Sequence, residues 1–95
     1  MEKLQERERE ELRVVAELLK LLAHPVRLCI VKNLAKNGEC NVSRMQQCVE
    51  APQSTISQHL AKLRSGGIIE GKRVGVEVYY TLTNPVVERI VKLLL

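Results

Sequence analysis

The chain contains no tryptophan and no phenylalanine, and Tyr79 and Tyr80 are its two aromatic residues. Proteins that grip single-stranded nucleic acid stack bases on aromatic side chains. That function is therefore excluded, and the core has to be assembled from Leu, Val and Ile. No apolar run approaches the ~18 residues that a membrane helix needs, and the N-terminus is charged rather than apolar. The expectation is a cytoplasmic protein with no export signal and no membrane partner. Three cysteines, an odd number in such a chain, are expected as reduced thiols rather than a disulfide framework. No internal repeat or low-complexity segment occurs. Nor is there a nucleophile–base pair, a metal-ligand triad or a phosphate-binding loop, so neither catalysis nor a cofactor or metal is expected.

Ninety-five residues suit one domain, 1–95, large enough to bury one core without staples. The net charge is +4, unevenly spread. Residues 1–11 hold Lys3, Arg7 and Arg9 against Glu2, Glu6, Glu8, Glu10 and Glu11, a balance of −2. Residues 53–73 hold Lys62, Arg64, Lys72 and Arg73 against Glu70, a balance of +3. A local basic excess is the footprint of a phosphate-binding surface, although a solvated charged face has the same composition.

Apolar periodicity divides the chain into elements. Residues 1–8 are expected to be disordered in part. From Glu6 to Leu22 the sequence is helical in character, with apolar residues around more than half the circumference. Pro25 then starts a second helix that ends at Asn37-Gly38. Asn41 caps a short third helix, Val42 to Val49, and Glu50-Ala51-Pro52 makes a tight turn into a fourth. Gly66-Gly67 ends the fourth. Ile68 to Lys72 and Val76 to Leu82 read as a hairpin turning around Arg73-Val74-Gly75. Asn84-Pro85 opens the last helix, Val86 to Leu95. The predicted fold is mainly α with a small β-hairpin: four helices, two strands and a helix, in the order of a winged helix-turn-helix. Residues 41–65 form the helix-turn-helix and 68–82 the wing.

The fourth helix carries an apolar stripe of Ile56, Leu60 and Leu63. At roughly 100° per residue, Ser54, Ser57, Gln58, Ala61, Lys62 and Ser65 fall opposite that stripe, with Thr55 and His59 on its flank. Water alone would favour long Glu and Lys side chains, because Ser and Thr compete with the helix backbone. A small, flat, hydrogen-bonding face suits the wall of a major groove. The residues expected to contact double-stranded DNA are Gln53, Ser54, Thr55, Ser57, Gln58 and His59, with Lys62, Arg64, Lys72 and Arg73 on phosphates. His59 has a second reading, as a packed or locally hydrogen-bonded histidine. A winged-helix module used for protein assembly is the competing class, but it calls for apolar anchors on this face.

The first and last helices, 10–22 and 85–95, carry more apolar surface than one small core can absorb. Dimerisation through Leu12, Val15, Leu19, Leu22, Val87, Ile90, Val91 and Leu94 is expected.

The segments "LLKLLAHPVRLCIVKNLAKNGECNVSRM" and "PQSTISQHLAKLRSGGIIEGKRVGVEVYYTLTNP", in that order, resemble the ArsR/SmtB family of dimeric bacterial transcriptional repressors. The resemblance runs from about Val14 to the end. It implies a homodimer that represses transcription by binding a palindromic operator and leaves it when an inducer, unknown here, arrives. It also implies departures. Thiophilic-metal sensors of the family carry Cys-Val-Cys where this chain has Asn41-Val42-Ser43. Zinc sensors place ligands on a last helix that here offers no histidine and only Glu88. Persulfide sensors pair a second-helix cysteine with one in the final helix, a partner Cys29 lacks. The chain is thus similar to the metal-independent, toxin-operon-regulator-like members.

Cys40 and Cys48 leave a thiol-redox alternative. Cys40 precedes the Asn41 cap, where a helix N-terminus favours thiolate. Eight helical residues span roughly 12 Å, beyond the ~7 Å limit for disulfide Cα atoms, so such a bond has to unwind the third helix.

Overall fold

The computed structural model describes residues 5–95. In chain order it contains α1 (Glu6–Leu22), α2 (Pro25–Asn37), β1 (Glu39–Asn41), α3 (Val42–Val49), α4 (Gln53–Ser65), β2 (Ile69–Val74), β3 (Glu77–Leu82) and α5 (Pro85–Leu94). Of the expected disordered stretch 1–8, residues 1–4 lie outside the described residues, and Glu6 to Glu8 form the first turn of α1.

The helix boundaries are set by caps that the sequence advertises. His24 Nδ1 accepts the Val26 N–H at 3.1 Å, with Pro25 in the first turn, where its missing N–H costs nothing. Asn41 Oδ1 accepts the Arg44 N–H at 2.9 Å. Asn84 Oδ1 accepts from both Val86 at 3.0 Å and Val87 at 3.2 Å. Each such cap stabilises its helix by about 1 kcal/mol. The turn between α3 and α4 begins with Glu50 at φ 52°, the one non-glycine residue with positive φ among the described residues.

The sheet is antiparallel with strand order β1-β3-β2, so the hairpin gains a third strand that the sequence pattern did not reveal. Cys40 pairs with Tyr80 and Asn41 with Tyr79. The three residues of β1 lack any alternation long enough to read, and they are strand because β3 offers them a free edge. The hairpin turn also differs from expectation. Val74 pairs with Glu77, which leaves Gly75-Val76 as a two-residue loop. Gly75, at φ 65°, supplies the positive angle that the first position of such a loop requires.

The core gathers Ile30, Val31 and Leu34 of α2, Met45 of α3, Ile56, Leu60 and Leu63 of α4, Ile68 and Ile69, and Val87 and Val91 of α5. No aromatic ring lies at its centre, and Tyr80 packs against its edge. Each of these side chains contributes about 1.5–3 kcal/mol by leaving water.

The radius of gyration is 14.9 Å, above the ~12 Å expected of a compact domain of this length, and the long axis measures 51 Å. The elongation comes from α1, whose residues through Glu17 are all exposed. Its C-terminal end is docked: a Cβ on Gly66 would lie 2.2 Å from Leu21 Cδ1, so the absent side chain is what lets α1 close on the end of α4. Among the described residues, no helix is long and apolar enough to cross a membrane.

Candidate nucleic-acid interface

In α4, Ile56, Leu60 and Leu63 are buried, and they fix which way the opposite face looks. Gln53, Ser54, Ser57, Gln58, Ala61, Lys62, Arg64 and Ser65 are exposed, while Thr55 and His59 are half-buried at the flank. The exposed face is a row of short hydroxyl, amide and methyl groups with Lys62 and Arg64 at its C-terminal end. A helix of this kind can approach base edges without displacing bulky side chains.

Between the start of α4 and the wing lies an open groove of about 310 Å³, lined by Gln53 and Ser57 on one side, Val76, Glu77, Val78 and Tyr80 on the other, and the start of α3 at its end. Strand alternation puts the two wing cations on opposite sides of the sheet. Arg73 pairs with Val78 and therefore shares its side of the sheet. Lys72 pairs with Tyr79 and projects from the opposite side. The two basic residues, equivalent in the sequence, are thus placed on different faces of the wing.

A hydrogen-bonded tie links the wing to the helix-turn-helix. The Glu77 carboxylate accepts from Asn41 Nδ2 at 3.1 Å and from the Tyr79 hydroxyl at 2.8 Å. The hydrogen bond to Glu77 holds the Tyr79 phenol above its usual range, because losing the proton would also lose that bond. Nothing in the residue pattern pointed to this tie, which joins positions far apart in sequence.

His59, grouped by its position with the DNA-facing side chains, is engaged elsewhere. Arg27 Nε donates to His59 Nδ1 at 3.2 Å, Arg27 Nη1 donates to the Leu21 carbonyl at 2.9 Å, and the His24 ring lies 4.4 Å from the His59 ring at a tilt of 49°. In the protomer His59 thus makes the local hydrogen bond of its second reading. The flanking ring turns toward α2 because a guanidinium waits there. Arg27 is the residue that the sequence analysis missed, and its place between two helix faces gave no periodic signal.

The apolar surplus of the end helices divides in two. Leu12, Val15, Leu19 and Leu94 are exposed, with Leu19 at 51%. Leu22, Val87 and Val91 are buried in the core of the protomer, so their side chains are already packed against their own chain. Ile90 is half-buried against the core. Val14, Val86 and Leu93, absent from the expected set, are exposed beside the others.

The thiols also depart from expectation. Cys40 is buried, its Sγ 3.5 Å from the Asn41 carbonyl, and burial pushes the thiol above its usual range despite the nearby Arg44. Cys48 is exposed near the end of α3, and Cys29 is half-buried beside Asn33 Nδ2 at 3.5 Å. Among the described residues no three His, Cys, Asp or Glu side chains converge as a metal site would require.

A model of a helix-turn-helix domain matches residues 22–72. The chain is 52% identical over 79 residues to the transcriptional repressor PagR of Bacillus anthracis, covering 83% of this chain and 79% of that protein. The PagR crystal structure superposes with a TM-score of 0.81 at 48% identity, over 90% of this chain and 98% of that one. A biofilm growth-associated repressor of Xylella fastidiosa is 41% identical over 80 residues, covering 84% of this chain and 69% of its own length. A homodimeric winged helix-turn-helix DNA-binding domain from Mycobacterium bovis superposes at 33% identity with a TM-score of 0.82, over 98% and 85% of the two chains.

Proposed function

The chain belongs to the ArsR/SmtB family of winged helix-turn-helix transcriptional regulators, and from that premise we propose how its surface reads DNA. It is a DNA-binding transcriptional repressor that acts as a homodimer. The observation that carries the reading is the exposed face of α4. Its Gln53, Ser54, Ser57 and Gln58 are short and polar opposite an apolar stripe, beside a groove that reaches Val78 of the wing, the cross-strand partner of Arg73. In the proposed complex the N-terminal half of α4 enters the major groove and these four residues meet base edges, with Thr55 at the rim. Lys62, Arg64 and Arg73 neutralise phosphates and fix the register without reading sequence.

The exposed apolar residues of α1 and α5, chiefly Leu12, Val15, Leu19 and Leu94 with Val14, Val86 and Leu93, are the surface we assign to the second copy. A twofold pair of reading helices calls for a palindromic operator with half-sites about one DNA turn, ~34 Å, apart. Such a protein works where the genome is, and we place it in the cytoplasm.

The test is selection of bound duplexes from a random pool by the unmodified chain, followed by Ser57→Ala and Gln58→Ala on the selected sequence. The reading expects a palindrome and a loss of discrimination of about 1–3 kcal/mol for each base contact removed. Enrichment of no sequence would remove operator recognition as the function.

A further inference from the structure

We propose that Arg27 is a positioning residue for DNA recognition: its guanidinium locks the reading helix α4 to the corner between α1 and α2 through His59, and the lock holds only while His59 Nδ1 carries no proton. The inference rests on the reading of α4 as the DNA-contacting helix.

The geometry is a chain of single-purpose contacts. Arg27 spends Nε on His59 Nδ1 at 3.2 Å and Nη1 on the Leu21 carbonyl at 2.9 Å, so one rigid fork spans from the last turn of α1 to the middle of α4. A ring nitrogen that accepts has no hydrogen, so the neutral His59 ring carries its proton on Nε2. A second proton has to go on Nδ1. There it turns acceptor into donor, sets an N–H against the Arg27 N–H, and places a cation against a guanidinium. The adjoining His24 ring, 4.4 Å away, is itself fixed by accepting the Val26 N–H.

The charges facing this corner are mostly positive. From α2 comes Arg27, with the titratable His24 ring just before it, and from α4 comes Lys62. From α1 come Lys20 and Glu17, which line with Arg27 and Lys62 a surface cleft of about 350 Å³. Burial first, then His24, Arg27 and Lys62, hold His59 below the usual histidine range. A depressed histidine favours the neutral form in the folded chain. Its contribution is thus complete above the ordinary value of about 6.5 and is lost as pH falls through the lowered folded value. The helix that reads DNA is then correctly seated at neutral pH and released by acid. A His59 in direct contact with phosphate predicts the reverse, because an imidazolium strengthens DNA binding.

The experiment measures affinity for a duplex selected from a random pool by the unmodified chain, at constant ionic strength, from about pH 8 to about pH 5.5. The unmodified protein is expected to lose affinity on acidification, by up to about tenfold for each pH unit below the His59 value, until it levels off at the affinity of the unlocked Arg27→Ala, because the unprotonated fraction binds better. His59→Asn keeps an acceptor near the Nδ1 position without titrating, and should match the unmodified affinity at high pH and hold it in acid. Arg27→Ala should bind weakly throughout with a flat profile, and Arg27→Lys should recover part of the loss. Affinity that rises in acid, acid loss retained in His59→Asn, or full affinity in Arg27→Ala would each overturn the proposal. NMR titration of His59 in the free protein separates this from failure of the DNA reading. Arg27→Ala should raise the His59 pKa whether or not any duplex is found, and an unchanged titration would disprove the lock alone.

Discussion

Asn41 and Glu77 stand 36 positions apart in the chain and meet through a 3.1 Å hydrogen bond from the Asn41 amide to the Glu77 carboxylate. The same asparagine uses its oxygen to accept the Arg44 N–H at 2.9 Å. One side chain therefore starts α3, which packs against α4, and ties β3 of the wing to it. The Asn41 amide thus adds a side-chain tie to the β1–β3 pairing that joins the helix-turn-helix to the wing, the two parts proposed to touch DNA.

Substitution can separate the two roles. Asn41→Ala removes both, and the lost cap should cost about 1 kcal/mol, lowering Tm by roughly 4–8 °C for a domain of this size. Asn41→Asp retains a capping oxygen but has no amide to donate and opposes the Glu77 carboxylate. Its Tm should lie above that of Asn41→Ala while its affinity for a selected duplex drops. Thermal melts with paired binding isotherms check this, and unchanged affinity in Asn41→Asp would show that the tie does not position the wing.

The division of the apolar end helices predicts two distinct failures. Leu19→Glu alters a side chain that is 51% exposed and should yield a folded monomer in sedimentation. Val87→Asp puts a charge into a position with no exposure, and should unfold the protomer rather than merely part the copies. A Leu19→Glu protein that still sediments as a dimer would move the interface off α1.

Opposite placement of the wing cations predicts unequal salt dependence. Arg73→Ala should weaken binding to selected and random duplexes alike and reduce the slope of log affinity against log salt by about one. Lys72→Ala should reduce it by less, because Lys72 projects from the face that carries Tyr79 and the Glu77 carboxylate. Equal slopes for the two variants would mean that the duplex lies along the wing edge instead of in the groove beside α4.

Thiol reactivity should follow burial. Alkylation at neutral pH is expected to label exposed Cys48 first and buried Cys40 only on unfolding, since burial keeps the Cys40 thiol protonated. Mass spectrometry after brief iodoacetamide treatment reads the order. Early labelling of Cys40 would restore the redox alternative that pairs it with Cys48.

Much of this protein is written in local pattern. The caps at His24, Asn41 and Asn84 are short-range hydrogen bonds whose donors lie two or three residues away, so neighbouring residues suffice to predict them. The buried stripe of α4 likewise follows from helical spacing alone, and with it the small polar face. The residues also carried the family resemblance, because its motifs are contiguous.

What the sequence left open concerns partners distant along the chain. β1 is a strand only because β3 has an edge to fill, and three residues hold no period of their own. Leu22, Val87 and Val91 look like Leu19 and Leu94 in any hydropathy pattern. Packing alone decides which of them the protomer buries and which it leaves exposed. His59 sits at a boundary angle of α4 where the helical wheel permits either side, and the guanidinium of Arg27, 32 positions earlier, draws it inward. Helical and strand periods fix the face on which a residue lies, but the occupant of the space beyond that face is set by the tertiary fold.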